Sequence, residues 1–248
     1  LTKGAGGKRG GGGASNPYAA WRRKTRNMYA YRQNITPPVV KNLIIANCVA
    51  LLATTLLPIG EELLMRFALF NVESPLFHSY QLFTYMFLHG GVSHLFFNMF
   101  ALWMFGRQLE YELGSQRFFT YYMVCGVGAA LLQMGVGYAE YQHALAAGGL
   151  QAAMQYLYTP TVGASGAVFG LLLAFGVLHP NNIIMLIFPP IALKAKWFVL
   201  IFAGIELLTG ITGTGGGIAH FAHLGGLIFG YILIRVWKKR GHLYSRYD

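Results

Sequence analysis

Three short stretches carry polar side chains able to act together on a carbonyl group. They are His94 with Asn98, Ser165 inside Gly163-Ala164-Ser165-Gly166, and the pair His220 and His223. A serine hydroxyl attacks poorly until a neighbouring base takes its proton, and imidazole is the side chain suited to that task near neutral pH. An acyl transfer also needs hydrogen-bond donors where negative charge develops on oxygen. His94 and Asn98 stand four apart, on one face of a helix, and offer ring and amide N–H groups for this. Backbone N–H groups in the first turn of a helix opening at Ser165 would lack partners along the helix and could serve the same oxygen.

Other hydrolytic chemistries lack their parts. The one aspartate, Asp248, lies at the end of the chain, which rules out an aspartate pair and a Ser-His-Asp triad. No His-Glu-x-x-His is present, which argues against a zinc protease. Ser165 sits in Gly-x-Ser-Gly-Ala, not in the Gly-x-Ser-x-Gly elbow of soluble hydrolases. A Ser–His dyad remains. His223 is taken as the base because Gly226 follows it by three residues; His220, on nearly the same face, is the rival and is read as structural. His89 is read as structural; the sequence assigns Glu206 no role beyond a loop anchor.

The elements that must hold these groups are apolar. The 248 residues are 55% hydrophobic and 11% charged, against about 25% charged in soluble domains. Apolar segments run near 39–59, 92–109, 117–138, 164–178, 195–210 and 218–236, predicting an all-α membrane protein with a six-transmembrane-helix bundle. The formal charge of +11 would raise nucleic acid as a partner in a soluble protein, but its distribution argues for a bilayer. Counted across these segments, every Lys and Arg except Arg66 falls on one side, which places both termini in the cytoplasm. Residues 1–37 form a basic, Gly-rich tail suited to anionic lipid; 38–238 form the core, and 239–248 a short cytoplasmic tail. Cys48 and Cys125 lie in apolar runs and are read as buried thiols.

The outer connections are then 60–84, 139–160 and 209–217. The first holds an interfacial helix across Glu61 to Phe70, the second is a polar loop, and the third, rich in glycine, joins a movable fifth helix to the His223 helix. Segments two, four and six run the same way and carry their polar residues near their outer ends. Gly166 with Gly170, and Gly226 with Gly230, are GxxxG pairs that permit close helix approach. If the two pairs face each other at one level, Ser165 and His223 differ in depth by roughly 3 Å at the helical rise.

In these motifs the chain resembles the rhomboid family. His94-x-x-x-Asn98 is similar to its second-helix motif, Gly163-Ala164-Ser165-Gly166 to its nucleophile motif, and Ala222-His223-Leu224-Gly225-Gly226 with Gly230 to its sixth-helix motif. Gly106, Glu110, Gly114 and Ser115 fit its pattern after the second helix. Many members have Trp-Arg in the first outer loop where this chain reads Tyr80-Gln81. The resemblance implies a rhomboid bundle without cofactor. It implies a serine endopeptidase that cleaves transmembrane segments of other proteins near the outer face, and the expected place is a bacterial inner membrane. A non-catalytic relative that binds membrane clients is the rival, although such relatives usually lack the serine or the histidine. A small transporter is weaker still, since no inverted repeat or midplane carboxylate pair is visible.

Overall fold

A computed structural model describes residues 36–185, 190–212, 220–241 and 243. The basic tail expected over 1–37 lies almost wholly outside them, as do residues 213–219 of the glycine-rich connection. The described chain is predominantly helical. Helix α1 spans Pro38–Leu56, with a proline in its first turn, where a missing N–H costs no helical bond. Its N-terminus has no side-chain cap of its own. The Glu110 carboxylate supplies one instead, accepting the N–H of Val39 at 3.0 Å and of Val40 at 2.8 Å.

A short amphipathic helix follows, α2 over Gly60–Phe67, with Glu61 and Glu62 in its first turn and Arg66 in its last. These charges complement the helix dipole. The loop after it returns to one turn of helix, α3 over Gln81–Thr84, and a 3₁₀ turn over Tyr85–Phe87. Gln81 is fully buried and ties the loop together. Its amide donates to the carbonyls of Arg66 at 3.2 Å and Leu76 at 2.8 Å, while the Tyr80 hydroxyl reaches the Arg66 carbonyl at 3.2 Å. The Tyr80-Gln81 departure thus has its own means of closing this loop.

The second apolar segment is α4 over Val92–Ala101, a π-helical turn over Leu102–Gly106, and α5 over Arg107–Leu113. Gly114, with φ of 80°, ends it. Helix α6 runs over Ser115–Tyr158, broken in its path at Gly149, where φ is 72° and ψ −170°. This corrects the polar loop expected at 139–160: the helix continues past Tyr138 through Ala- and Gln-rich sequence, whose helix propensity is high. Up to the break α6 is roughly 50 Å long at the helical rise, more than the roughly 30 Å of hydrocarbon it could cross.

Helix α7 covers Ser165–Leu178. The connection after it holds an antiparallel hairpin, β1 over Ile183–Met185 with β2 over Ala192–Lys194, paired Ile184 to Leu193. No strand was expected there; Ile183-Ile184 is the β-favouring signal in the sequence. Helix α8 spans Ala195–Thr212 and α9 His220–Lys239. Among the described residues four helices, α1, α6, α8 and α9, are long and apolar enough to cross a membrane, and α7 is a shorter apolar helix.

Helix α9 packs against α6, α7 and α8. The contact with α7 is built on glycine. A Cβ added at Gly226 would overlap the carbonyl oxygen of Gly166, and one at Gly170 would lie 3.2 Å from the carbonyl oxygen of Gly226. The Tyr121 hydroxyl donates to the Gly170 carbonyl at 2.8 Å and that of Tyr85 to the Gly126 carbonyl at 2.7 Å, so α6 and the 3₁₀ turn clamp the same region. By contrast α8 is an edge element. Its buried residues are Ala195, Phe198 and Val199, all near its start, while Leu200, Ile205, Leu208 and Ile211 are exposed.

Candidate active site

Ser165 is the first residue of α7, and the segment before it is held from two sides. Leu69 and Thr161 exchange backbone hydrogen bonds at 3.0 and 2.8 Å, and the Gly163 N–H donates to the Tyr85 carbonyl at 3.0 Å. Gly163 has φ of 131°, where side chains are rarely accommodated, and an added Cβ would lie 2.9 Å from the His94 ring. Glycine is therefore required there both by backbone and by space. The serine is thus delivered at a helix start, where the first N–H groups have no partner along the helix.

His223 is buried at 8% exposure, one turn into α9. Its Nε2 stands 2.8 Å from the Ser165 Oγ across the glycine contact. Phe169 stacks on its ring at 4.2 Å between centroids and an interplanar angle of 6°. The ring is thereby fixed in plane as well as in position. Phe169 was not singled out in the sequence, although it follows Ser165 by four residues and so shares its helix face.

His94 and Asn98 occupy α4 on the other side of the serine. The Gly90 N–H reaches His94 Nδ1 at 3.3 Å, which leaves Nε2 as the protonated nitrogen of the neutral ring. That nitrogen faces Gly163. The Asn98 amide donates one hydrogen to the His94 carbonyl at 2.9 Å and has a second one left. Ser165, His223, His94 and Asn98 all line one cavity of about 930 Å³, together with Gln133 and Glu140 of α6. His89 lies outside it, buried edge-on against His94 at 5.0 Å. Burial pushes its imidazole down to about 4, so it is neutral near pH 7.

The structure adds a carboxylate that sequence reasoning left without a role. The Oε2 of Glu206, from α8, lies 2.6 Å from His220 Nδ1 and 2.9 Å from His223 Nδ1. The first contact is an aligned hydrogen bond. In the second the ring N–H is off the line to the oxygen, so that His223 Nδ1 has no aligned acceptor. Among the described residues this is the cluster with metal-ligand types. Its spacings suit shared protons better than an ion, because donors held about 2.0–2.1 Å from tetrahedral zinc stand about 3.4 Å apart.

The geometry sets a hydroxyl beside an imidazole, with ring, amide and backbone N–H groups around one cavity. A family model for the rhomboid domain matches residues 77–240. The chain is 31% identical over 159 residues to Rhomboid protein 1, mitochondrial, of Saccharomyces cerevisiae, covering 62% of this chain and 42% of the relative. It is 30% identical over 155 residues to Rhomboid protease AarA of Providencia stuartii, covering 60% and 52%. With Rhomboid protease GluP of Bacillus subtilis the identity is 28% over 157 residues, covering 61% and 25%. The match thus spans from a quarter to about half of these relatives' lengths. With that domain and four apolar helices of spanning length, the chain is an integral membrane protein of the rhomboid family.

Proposed function

We propose that this protein is an intramembrane serine endopeptidase that cleaves transmembrane segments of other membrane proteins, with Ser165 as nucleophile and His223 as base. One observation carries the reading: the 2.8 Å contact between Ser165 Oγ and His223 Nε2 on two helices that approach through glycine. In the acylation step the hydroxyl proton passes to His223 Nε2 as Oγ bonds to the substrate carbonyl carbon. The tetrahedral oxyanion is met by the His94 and Asn98 side chains and by N–H groups at the start of α7. The C–N bond then breaks as the imidazolium returns its proton to the leaving amine. Water repeats the sequence to release the acyl group.

Around this site we place a core over 38–238 as a six-span bundle with both termini in the cytoplasm. The one-sided distribution of Lys and Arg supports it. The basic residues of the two tails would then meet anionic lipid. The relatives include mitochondrial and chloroplast proteins beside bacterial ones, so the bacterial inner membrane expected from the sequence draws no support from them.

The test is cleavage of a model transmembrane substrate by purified protein in liposomes. Wild type should cut and Ser165→Ala should not, with chelator making no difference. If a folded wild type cuts nothing that Ser165→Ala leaves intact, the client-binding reading replaces this one.

A further inference from the structure

The proton transfer so far uses two residues, Ser165 and His223, yet the base has a third group beside it. Glu206 reaches inward from α8, its side chain 13% exposed, and shares one oxygen between His220 and His223. A carboxylate within the apolar stretch of such a helix is costly unless partners hold it. Here both partners are histidines of α9, and one of them is the residue in contact with Ser165.

We propose that Glu206 is a positioning residue for His223, completing a Ser165–His223–Glu206 relay in which a carboxylate on α8 stabilises the imidazolium formed on α9. This rests on the Ser165–His223 reading above. The two ring nitrogens divide the work. Nε2 takes the serine proton, and Nδ1 carries its hydrogen on the side of Glu206 Oε2, 2.9 Å away. When the ring gains its proton, the neighbouring negative charge favours the cation. Glu206 itself stays ionised; the proton leaves from Nε2 to the departing amine.

His220 is the anchor of this arrangement. Its Nδ1 gives Glu206 Oε2 the aligned bond at 2.6 Å, and the Thr209 hydroxyl lies 3.1 Å from the same nitrogen. It thereby holds the carboxylate while His223 stays free to align on it. Among the described residues, the other titratable groups on the cavity that His223 lines are His94 from α4 and Glu140 and Tyr156 from α6. None of the three is paired with His223 Nδ1, so the charge of Glu206 is the one to vary.

The experiment compares wild type, Glu206→Gln, Glu206→Asp and Ser165→Ala, reconstituted in liposomes with a transmembrane substrate. Glu206→Gln keeps the size and removes the charge. It should lower kcat about 10- to 100-fold, less than the roughly 10²–10⁴ that the acid–base group itself supplies, because His223 is still present, with KM within about twofold. Its acid limb should move to lower pH, because the imidazolium has lost its counter-charge. Glu206→Asp should recover part of kcat and return the limb toward wild type. A structural role alone would lower the melting temperature or raise KM without moving the limb.

Titration of ¹⁵N-labelled histidine by NMR gives the same comparison without turnover: His223 should protonate at lower pH in Glu206→Gln. An unmoved His223 titration in folded Glu206→Gln overturns the proposal, as does wild-type kcat with an unmoved acid limb. In the second case the dyad reading stands if Ser165→Ala is inactive. An inactive wild type sinks the protease reading instead, and the NMR titration still decides the contact between Glu206 and His223.

Discussion

Gly226 of α9 lies against the backbone of Gly166 of α7 so closely that a single Cβ at residue 226 would overlap the Gly166 carbonyl oxygen. The neighbouring atom is backbone and cannot swing aside. Helix separation at this level therefore sets the distance from Ser165 to His223. Gly226→Ala must push α9 outward, at a cost of about 1–3 kcal/mol for an overpacked core. The variant should melt lower in detergent, and its cleavage should fall by more than its folded fraction does. A variant with wild-type melting and wild-type cleavage would refute this spacing argument.

Ser165 should be the serine that an active-site probe finds. A fluorophosphonate should label the solubilised protein once, at Ser165, as read by mass spectrometry of the digest. Labelling should vanish in Ser165→Ala and fall sharply in His223→Ala. His220→Ala removes the partner of Glu206 and not the base, so it should keep more labelling than His223→Ala. The reverse order between the two histidine variants would show the wrong base has been chosen.

The meeting of Ser165 with His223 was legible because these residues stand out from their surroundings. Ser165 and His223 are polar groups near the ends of apolar helices, and the glycine spacing supplied a common level for them. The apolar segments likewise coincide with helices, since length and hydropathy alone bring out such runs. Three features were not legible. Helix α6 passes through 139–158 because Ala and Gln there favour helix although they read as polar loop. The paired strands 183–185 and 192–194 are too short for an alternating pattern to show. Glu206 stands in the sequence as a lone carboxylate on an apolar helix, with no motif to mark its partners. Its partners lie 14 and 17 positions away across a connection whose path the sequence does not encode locally.

The charge pattern predicts sidedness. Ala146, in the second half of α6, and Lys194, at the end of β2, are both exposed. With Cys48 and Cys125 replaced by Ala, a cysteine at 146 should react with a membrane-impermeant maleimide added to intact cells. A cysteine at 194 should react only after permeabilisation. The opposite pattern would invert the topology and with it the face at which Ser165 opens.

Glu110 should be a stability residue. It is fully buried, caps Val39 and Val40 of α1, and accepts the Ser115 hydroxyl at 2.6 Å. It thus joins α1, α5 and the start of α6 at one point. Glu110→Ala leaves three donors without their acceptor, each costing about 1–3 kcal/mol when it stays buried. The melting temperature should drop by many degrees, while any folded remainder keeps its probe labelling at Ser165. Glu110→Gln should recover part of the loss, because its single carbonyl oxygen can still accept. Unchanged melting in Glu110→Ala would mean that water replaces the carboxylate there.

The proposed oxyanion donors can be separated by what each already does in the resting protein. His94 accepts from Gly90 through Nδ1 and turns Nε2 toward Gly163, so its free N–H is aimed before substrate arrives. Asn98 spends one amide hydrogen on the His94 carbonyl and holds the second in reserve. Removing one such donor costs about 10²–10³ in kcat where it acts alone. Here ring, amide and backbone N–H groups converge on one cavity, so each single variant should lose less than that, and the double variant more than either. The loss should fall on kcat with little change in KM, since the oxyanion exists only in the transition state and the intermediate. His94→Ala also removes the acceptor for Gly90, so its melting must be followed beside its rate. A folded His94→Ala, Asn98→Ala double variant with wild-type kcat would take both side chains out of the mechanism and leave the α7 backbone as the oxyanion site.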